Sequence, residues 1–265
     1  MKKILLFFSI ILFLSACTGN QKTYYISMPS FKSSFEEHNN TKENSPKVKI
    51  NEIEIIKNTF YSSYFEQSTL NQRINKSLEL LKKQLFKDSK ALLESKGYTI
   101  DNENPDYVFN ITISANLYED KVTRNSSLGG DSVESSFMII LEAQSHLNNL
   151  HQEDTFQSTT SSAKLNDPII LNYPIKGQAS IESFRQVYSA VPTQVNESLA
   201  ASALEIDKVF IAFYKEITSS LKTNIKEIKE ESKAQENLEA QDIKQDSRKE
   251  EKISPYQNNE VIIFE

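Results

Sequence analysis

The sequence predicts a mixed α/β (α+β) domain: an antiparallel or mixed sheet of about four strands packed on one long helix, with a long C-terminal helix. Three observations lead there. Leu70, Ile74, Leu78, Leu81, Leu85 and Leu92 recur at spacings of three, four and seven, which marks one buried helix face. Tyr107, Phe109, Ile111, Ile113 and Leu117 alternate with Val108, Asn110, Thr112, Ser114 and Asn116, the period of a strand with one drier face. Ile206, Phe210, Phe213, Ile217, Leu221, Ile225 and Ile228 then restore the helical period near the C-terminus.

In chain order, the first element is a secretory signal over residues 1–16. Lys2 and Lys3 precede an apolar run from Ile4 to Leu14, too short for an ordinary spanning helix of roughly 20 residues. Leu14-Ser15-Ala16-Cys17 matches the bacterial lipoprotein box, and Cys17 is the single cysteine of the chain, so it is expected to carry the lipid. Acyl chains contribute about 0.8 kcal/mol per buried methylene, and two or more hold a soluble domain on a bilayer. Thr18 stands where Asp often marks inner-membrane retention, which points to the outer membrane, on its surface or its periplasmic face. Loss of Lys2 and Lys3 with the signal leaves 28 basic against 36 acidic residues, a charge of -8 in place of -6. That balance argues against binding a phosphate backbone, so no nucleic-acid partner is expected.

Residues 17–46 read as the lipidated cysteine and a polar tether, in which Tyr24, Tyr25, Ile26, Phe31 and Phe35 are able to dock on the domain. The α/β domain is placed at 47–228. It opens with a strand candidate, Lys47 to Ile56, whose apolar phase changes between Ile50 and Ile53, so a bulge or break is expected near Asn51. The first helix runs from Thr69 to Lys96. Thr69 with Gln72 reads as a capping box, and Gly97 closes the helix in the left-handed region. Strands follow at Asp106 to Tyr118 and Ser136 to His146, joined by a polar loop, Glu119 to Glu134, that reads as a long hairpin loop. Residues 154–163 are a further strand. Residues 164–195 carry three prolines and read as irregular, with a short helix near Ile181 to Tyr188. The C-terminal helix spans Glu197 to about Ile228. Residues 229–265 form a charged helical extension and a tail ending in Val261-Ile262-Ile263-Phe264.

Chemistry-bearing motifs are scarce. His146 and His151 with Glu153 or Asp154 lack a recognised metal-ligand spacing and read as exposed turn residues. Gly129-Gly130 lacks the strand-to-helix context of a phosphate loop. No catalytic residue, metal or cofactor is expected, and the chain reads as a binding protein, not an enzyme.

The layout resembles the neuraminyllactose-binding haemagglutinin lipoproteins. The likeness rests on order and spacing over residues 48–235. It begins with Phe60-Tyr61-Ser62-Ser63 after the early strand, then Ser95-Lys96-Gly97-Tyr98, then Asp106-Tyr107-Val108-Phe109-Asn110-Ile111. Phe137 to Leu141 and Ala203-Leu204-Glu205-Ile206-Asp207-Lys208-Val209-Phe210 complete it. The resemblance implies an outer-membrane or surface lipoprotein, adhesin-like, that recognises sialylated glycans through a cationic run after the central strand. Here that run is Glu119-Asp120-Lys121-Val122-Thr123-Arg124-Asn125-Ser126, which offers only Lys121 and Arg124 beside two carboxylates. The order helix, Gly-Tyr, then a strand opening Asp-Tyr is also similar to small periplasmic lipoprotein domains that scaffold outer-membrane machinery. On that reading the partner is an envelope protein.

Overall fold

Val48 and Ile50, alternating with lysines, start the sheet as β2 (Lys47–Ile50), and the chain breaks at Asn51 before β3 (Glu54–Phe60), as the phase change requires. In the computed structural model, residues 22–33, 35, 45–127, 130–151, 156–175 and 191–228 are described. The signal, Cys17, the helix expected near Ile181 to Tyr188 and the extension at 229–265 lie outside them.

The other elements are β1 (Thr23–Tyr25), α1 (Ser63–Glu66), α2 (Thr69–Ser95), β4 (Thr99–Ile100), β5 (Tyr107–Ser127), β6 (Gly130–Asn149), β7 (Phe156–Lys164), β8 (Ile169–Pro174), β9 (Gln194–Asn196) and α3 (Glu197–Asn224). The fold is mixed α+β, but among the described residues its main sheet has seven strands, not about four, and β1 and β9 form a separate two-stranded sheet. The long antiparallel hairpin β5–β6 forms its middle. Along β5 lie β2 and then β3, both parallel to it; along β6 lie β7 and β8, both antiparallel. β4 extends the β2 edge. The undercount arises because each flank of the hairpin is broken into two strands. β8 was hidden by its bounding Pro168 and Pro174, although Leu171 and Tyr173 are buried on alternate positions.

Both long helices, not one, pack on the sheet: α2 beside β2 and β4, and α3 against β6, β7 and β8. Every apolar position of the α2 stripe is buried. Its cap is Ser68, one residue before the expected Thr69; the Ser68 hydroxyl accepts from the Asn71 amide at 3.1 Å. At the other end Gly97 has φ 93°, Tyr98 N–H donates to the Leu93 carbonyl (3.0 Å) and Gly97 N–H to that of Glu94 (3.1 Å). This is a Schellman closure, which a Cβ at position 97 would strain.

The expected loop at 119–134 is strand. The ladder passes Asp120↔Ser136, shifts, resumes at Thr123↔Glu134 and runs to Ser127↔Gly130. Lys121 and Val122 stand against Ser135 alone, and Lys121 has φ 52°. A β-bulge with its first residue left-handed accounts for both facts. Polar composition concealed these strands: β5 from Asp120 to Ser126 is exposed on both faces, and the facing stretch of β6 buries only Val133 and the polar Ser135, so no apolar alternation marks either strand.

Candidate functional site

Side chains at odd positions of β5 and β6, from Phe109 to Leu117 and from Val133 to Leu147, face the helices and are buried. Even positions form the other face, which no helix among the described residues covers. Across it Asn58 Nδ2 donates to Asn116 Oδ1 (2.8 Å), and Asn116 Nδ2 donates to Glu142 Oε2 (3.3 Å). One row further, Phe60 and Tyr118 stack with centroids 5.1 Å apart and planes 4° from parallel. Phe60 is 59% exposed and Tyr118 39%, and Met138 sits opposite Tyr118 in the register. Ile56 and Ile170 add exposed apolar surface to this face. Large side chains left together in water are a recognition surface more often than an accident.

The bulge decides where the two cations suspected of glycan binding go. It shifts the phase of β5, so Arg124 lies opposite the buried Val133, on the helix-side face. Arg124 and the Phe60–Tyr118 pair are therefore on opposite faces of the sheet. The guanidinium is engaged: Nε donates to Asp131 Oδ2 at 3.1 Å, and Nη2 donates to the same oxygen. Arg124 in turn holds the Asp131 carboxyl below its usual range. Lys121 is exposed at the bulge, three positions from Tyr118.

Glu119, the last helix-side residue before the bulge, is a tie point. Its Oε2 accepts from the Ser62 amide (2.9 Å) and hydroxyl (2.6 Å), and its Oε1 accepts from Ser135 Oγ (2.7 Å) and Tyr173 OH (2.5 Å). Burial, then the bond to Glu119, pushes the Tyr173 hydroxyl up. With about four lone-pair sites filled, the carboxylate holds α1, β6 and β8 together and has little capacity for proton transfer.

A second centre joins the segment after the anchor to the domain. Arg73, fully buried on α2, donates through Nε and Nη2 to Asp207 of α3 (3.0 and 2.5 Å). Its remaining donors reach the carbonyls of Ile26 (2.9 Å), Ser27 (2.5 Å) and Pro192 (2.9 Å). Burial raises the Asp207 carboxyl, and Arg73 opposes that rise. Further along the segment, Tyr214 OH donates within reach of both Asp88 Oδ2 (2.6 Å) and the Lys32 carbonyl (2.9 Å), and Phe31 lies against its ring. Sequence reading passed over Arg73 and Asp207, although each interrupts an apolar helix face, beside Ile74 and Ile206 respectively.

His146 lies within β6, and His151 follows that strand with Nε2 3.3 Å from Asp106 Oδ1; Glu153 and Asp154 are outside the described residues. Among the described residues no three His, Cys, Asp or Glu side chains converge as metal ligands. Nor is any described helix long and apolar enough to cross a membrane, which says nothing of strands.

Residues 1–18 match the prokaryotic membrane lipoprotein lipid attachment site. The chain is thus a lipoprotein, membrane-associated through a lipid anchor. No curated protein matches its sequence. Among solved structures, it is similar to a Helicobacter pylori protein described as a neuraminyllactose-binding hemagglutinin homolog, with 18% identity over 84% of this chain and 99% of that one, TM-score 0.36. It is also similar to a DUF330 protein from Xanthomonas campestris (8% identity, 75% and 95% covered, TM-score 0.29). A minor lipoprotein from Acinetobacter baumannii follows (10% identity, 68% and 94% covered, TM-score 0.22). All three scores are low, and these likenesses carry nothing about a ligand.

Proposed function

We propose that this lipoprotein acts by binding, as an adhesin-like module anchored in the outer membrane, and that the uncovered sheet face makes the contact. The observation that carries the reading is the exposed Phe60–Tyr118 stack beside the Asn58–Asn116–Glu142 ladder. Flat aromatic surface next to amide and carboxylate groups suits a sugar ring, whose C–H face packs on the aromatics while its hydroxyls exchange hydrogen bonds with the amides. A sialylated glycan adds a carboxylate. Lys121 is the cation nearest the aromatic pair along β5, whereas Arg124 is turned to the other face and is paired. No catalytic step belongs to this reading; the Glu119 carboxylate, on which four donors converge, is filled by them.

Two measurements test it. Protease added to intact cells should remove the domain; full protection would overturn surface recognition and favour the periplasmic scaffold reading. On a glycan array the purified mature protein should bind, and Phe60→Ser and Tyr118→Ser should each abolish most of the signal. Binding unchanged in both variants would move the site off this face.

A further inference from the structure

The residues that follow the lipid anchor are held by the domain itself. β1 (Thr23–Tyr25) pairs antiparallel with β9, with Tyr24 opposite Val195. The Lys22 carbonyl accepts the Glu197 amide at 2.9 Å, so the first turn of α3 is partly satisfied by the anchor-proximal chain. Arg73 grips Ile26 and Ser27 immediately downstream. Lys22 stands five residues after Cys17 in sequence, so the two lie at most about 18 Å apart whatever path the chain takes. A tether of that reach keeps the β1–β9 ribbon at the bilayer surface.

What the ribbon presents there is unusual for a water-facing strand pair. Tyr25 is 76% exposed and Tyr24 44%; Val191, at the approach to β9, is 43% exposed. Leu204, 49% exposed, stands two turns along α3 on the same face as Glu197, the residue whose carboxylate accepts from the Tyr24 hydroxyl (3.2 Å). Tyrosine, with an apolar ring and a polar tip, is favoured at the level of lipid headgroups. Lys22, exposed at the start of the ribbon, carries a positive charge into the same layer.

We infer that the β1–β9 ribbon is a second membrane contact: Tyr24 and Tyr25, delivered by the short link from Cys17, insert into the headgroup layer and dock the domain on the lipid surface. The partner is the bilayer interface. The ribbon packs on α2 and α3, which cover the helix side of the sheet, so this contact is separate from the Phe60–Tyr118 face. Docking by the ribbon converts a single-point anchor into a fixed orientation, in which the helix-side end meets lipid and the uncovered face is kept from it.

The absence of tryptophan from the chain makes a direct test available. Mature lipidated protein carrying Tyr25→Trp is reconstituted in phosphatidylcholine–phosphatidylethanolamine vesicles, with and without brominated phosphatidylcholine. A Phe60→Trp variant is treated identically. Both positions are exposed and accept the larger ring without repacking. The Tyr25→Trp protein should shift its emission to shorter wavelength on reconstitution and lose roughly half its intensity to the brominated lipid, as expected of an interfacial ring. The Phe60→Trp protein should do neither. No quenching at position 25, quenching only at position 60, or equal quenching at both overturns the assignment. The first of these results is also the one expected if the ribbon meets a protein instead. None of these outcomes depends on whether the sheet face binds a glycan.

Discussion

Arg73 and Asp207, 134 positions apart in sequence, form a buried two-bond ion pair between α2 and α3, and the same guanidinium holds the backbone that leads to the lipid anchor. Such a pair repays the cost of removing two charges from water only while all its bonds are made. Arg73→Met is therefore expected to lose about 3–5 kcal/mol of stability, read by urea unfolding near neutral pH. The orphaned Asp207 carboxyl is raised by burial, so the folded variant binds protons more tightly than its unfolded chain. Its deficit should shrink as pH falls and the carboxyl becomes neutral. The double variant Arg73→Met, Asp207→Leu should recover a large part of the loss; a double variant as unstable as Arg73→Met would show that the backbone bonds, not the ion pair, dominate.

Gly97 offers a local test of the α2 closure. Its φ of 93° lies where a Cβ meets the following carbonyl oxygen. Gly97→Ala should cost about 1–2 kcal/mol, seen as a lower thermal midpoint with an unchanged far-ultraviolet spectrum. An unchanged midpoint would show that the turn relaxes to another conformation.

The parts of the fold legible in sequence are those where one face must be dry. The α2 and α3 stripes, the helix-side positions of β5 and β6 and the break at Asn51 are periodic because burial enforces the period. Past the bulge, as far as Ser126, β5 is exposed on both faces, and the β6 stretch opposite buries only Val133 and Ser135, so neither strand shows an apolar period and both read as loop. β8 and β9 are short and lie in a proline-rich stretch, where pairing with a distant partner, not local pattern, creates the strand. The candidate site was less legible still. Phe60 and Tyr118 become neighbours only through the parallel β3–β5 register, and the facing of Arg124 depends on a bulge at Lys121 that no residue type announces.

Asp101 provides the pH dependence. The bond from Lys47, then the amides of Asn104 and Glu103, hold its carboxyl down at about 2, below the ordinary 3.8. A depressed folded value means that the stabilisation is present above the unfolded value and is lost as pH falls towards 2. Wild type should exceed Asp101→Asn in thermal midpoint at pH 7, with the difference closing between roughly pH 4 and pH 2. Salt should reduce the gap, since Lys47 and its partner lie near the surface. A difference that persists at pH 2 would assign the effect to packing.

The lipid attachment site matched over residues 1–18 contains a single thiol, Cys17, which is the proposed point of acylation. Cys17→Ser should accumulate as unprocessed precursor that takes up no labelled palmitate, because the thiol that is acylated is gone. Normal processing and labelling in this variant would place lipidation elsewhere.

The Arg124–Asp131 pair sets the condition under which Arg124 could serve a sialylated ligand. Asp131 occupies the guanidinium with two hydrogen bonds, and a glycan carboxylate would have to compete with it. Because Arg124 faces away from the Phe60–Tyr118 pair, Asp131→Asn and Arg124→Ala should both leave the preference for sialylated over desialylated glycans as in wild type, with Lys121 serving the open face. A loss of sialate preference in Arg124→Ala, together with a gain in Asp131→Asn, would bring Arg124 into the site despite its facing. Equal preference in wild type and both variants would exclude it, because a guanidinium in direct contact with the ligand carboxylate cannot be indifferent both to its own removal and to release from Asp131.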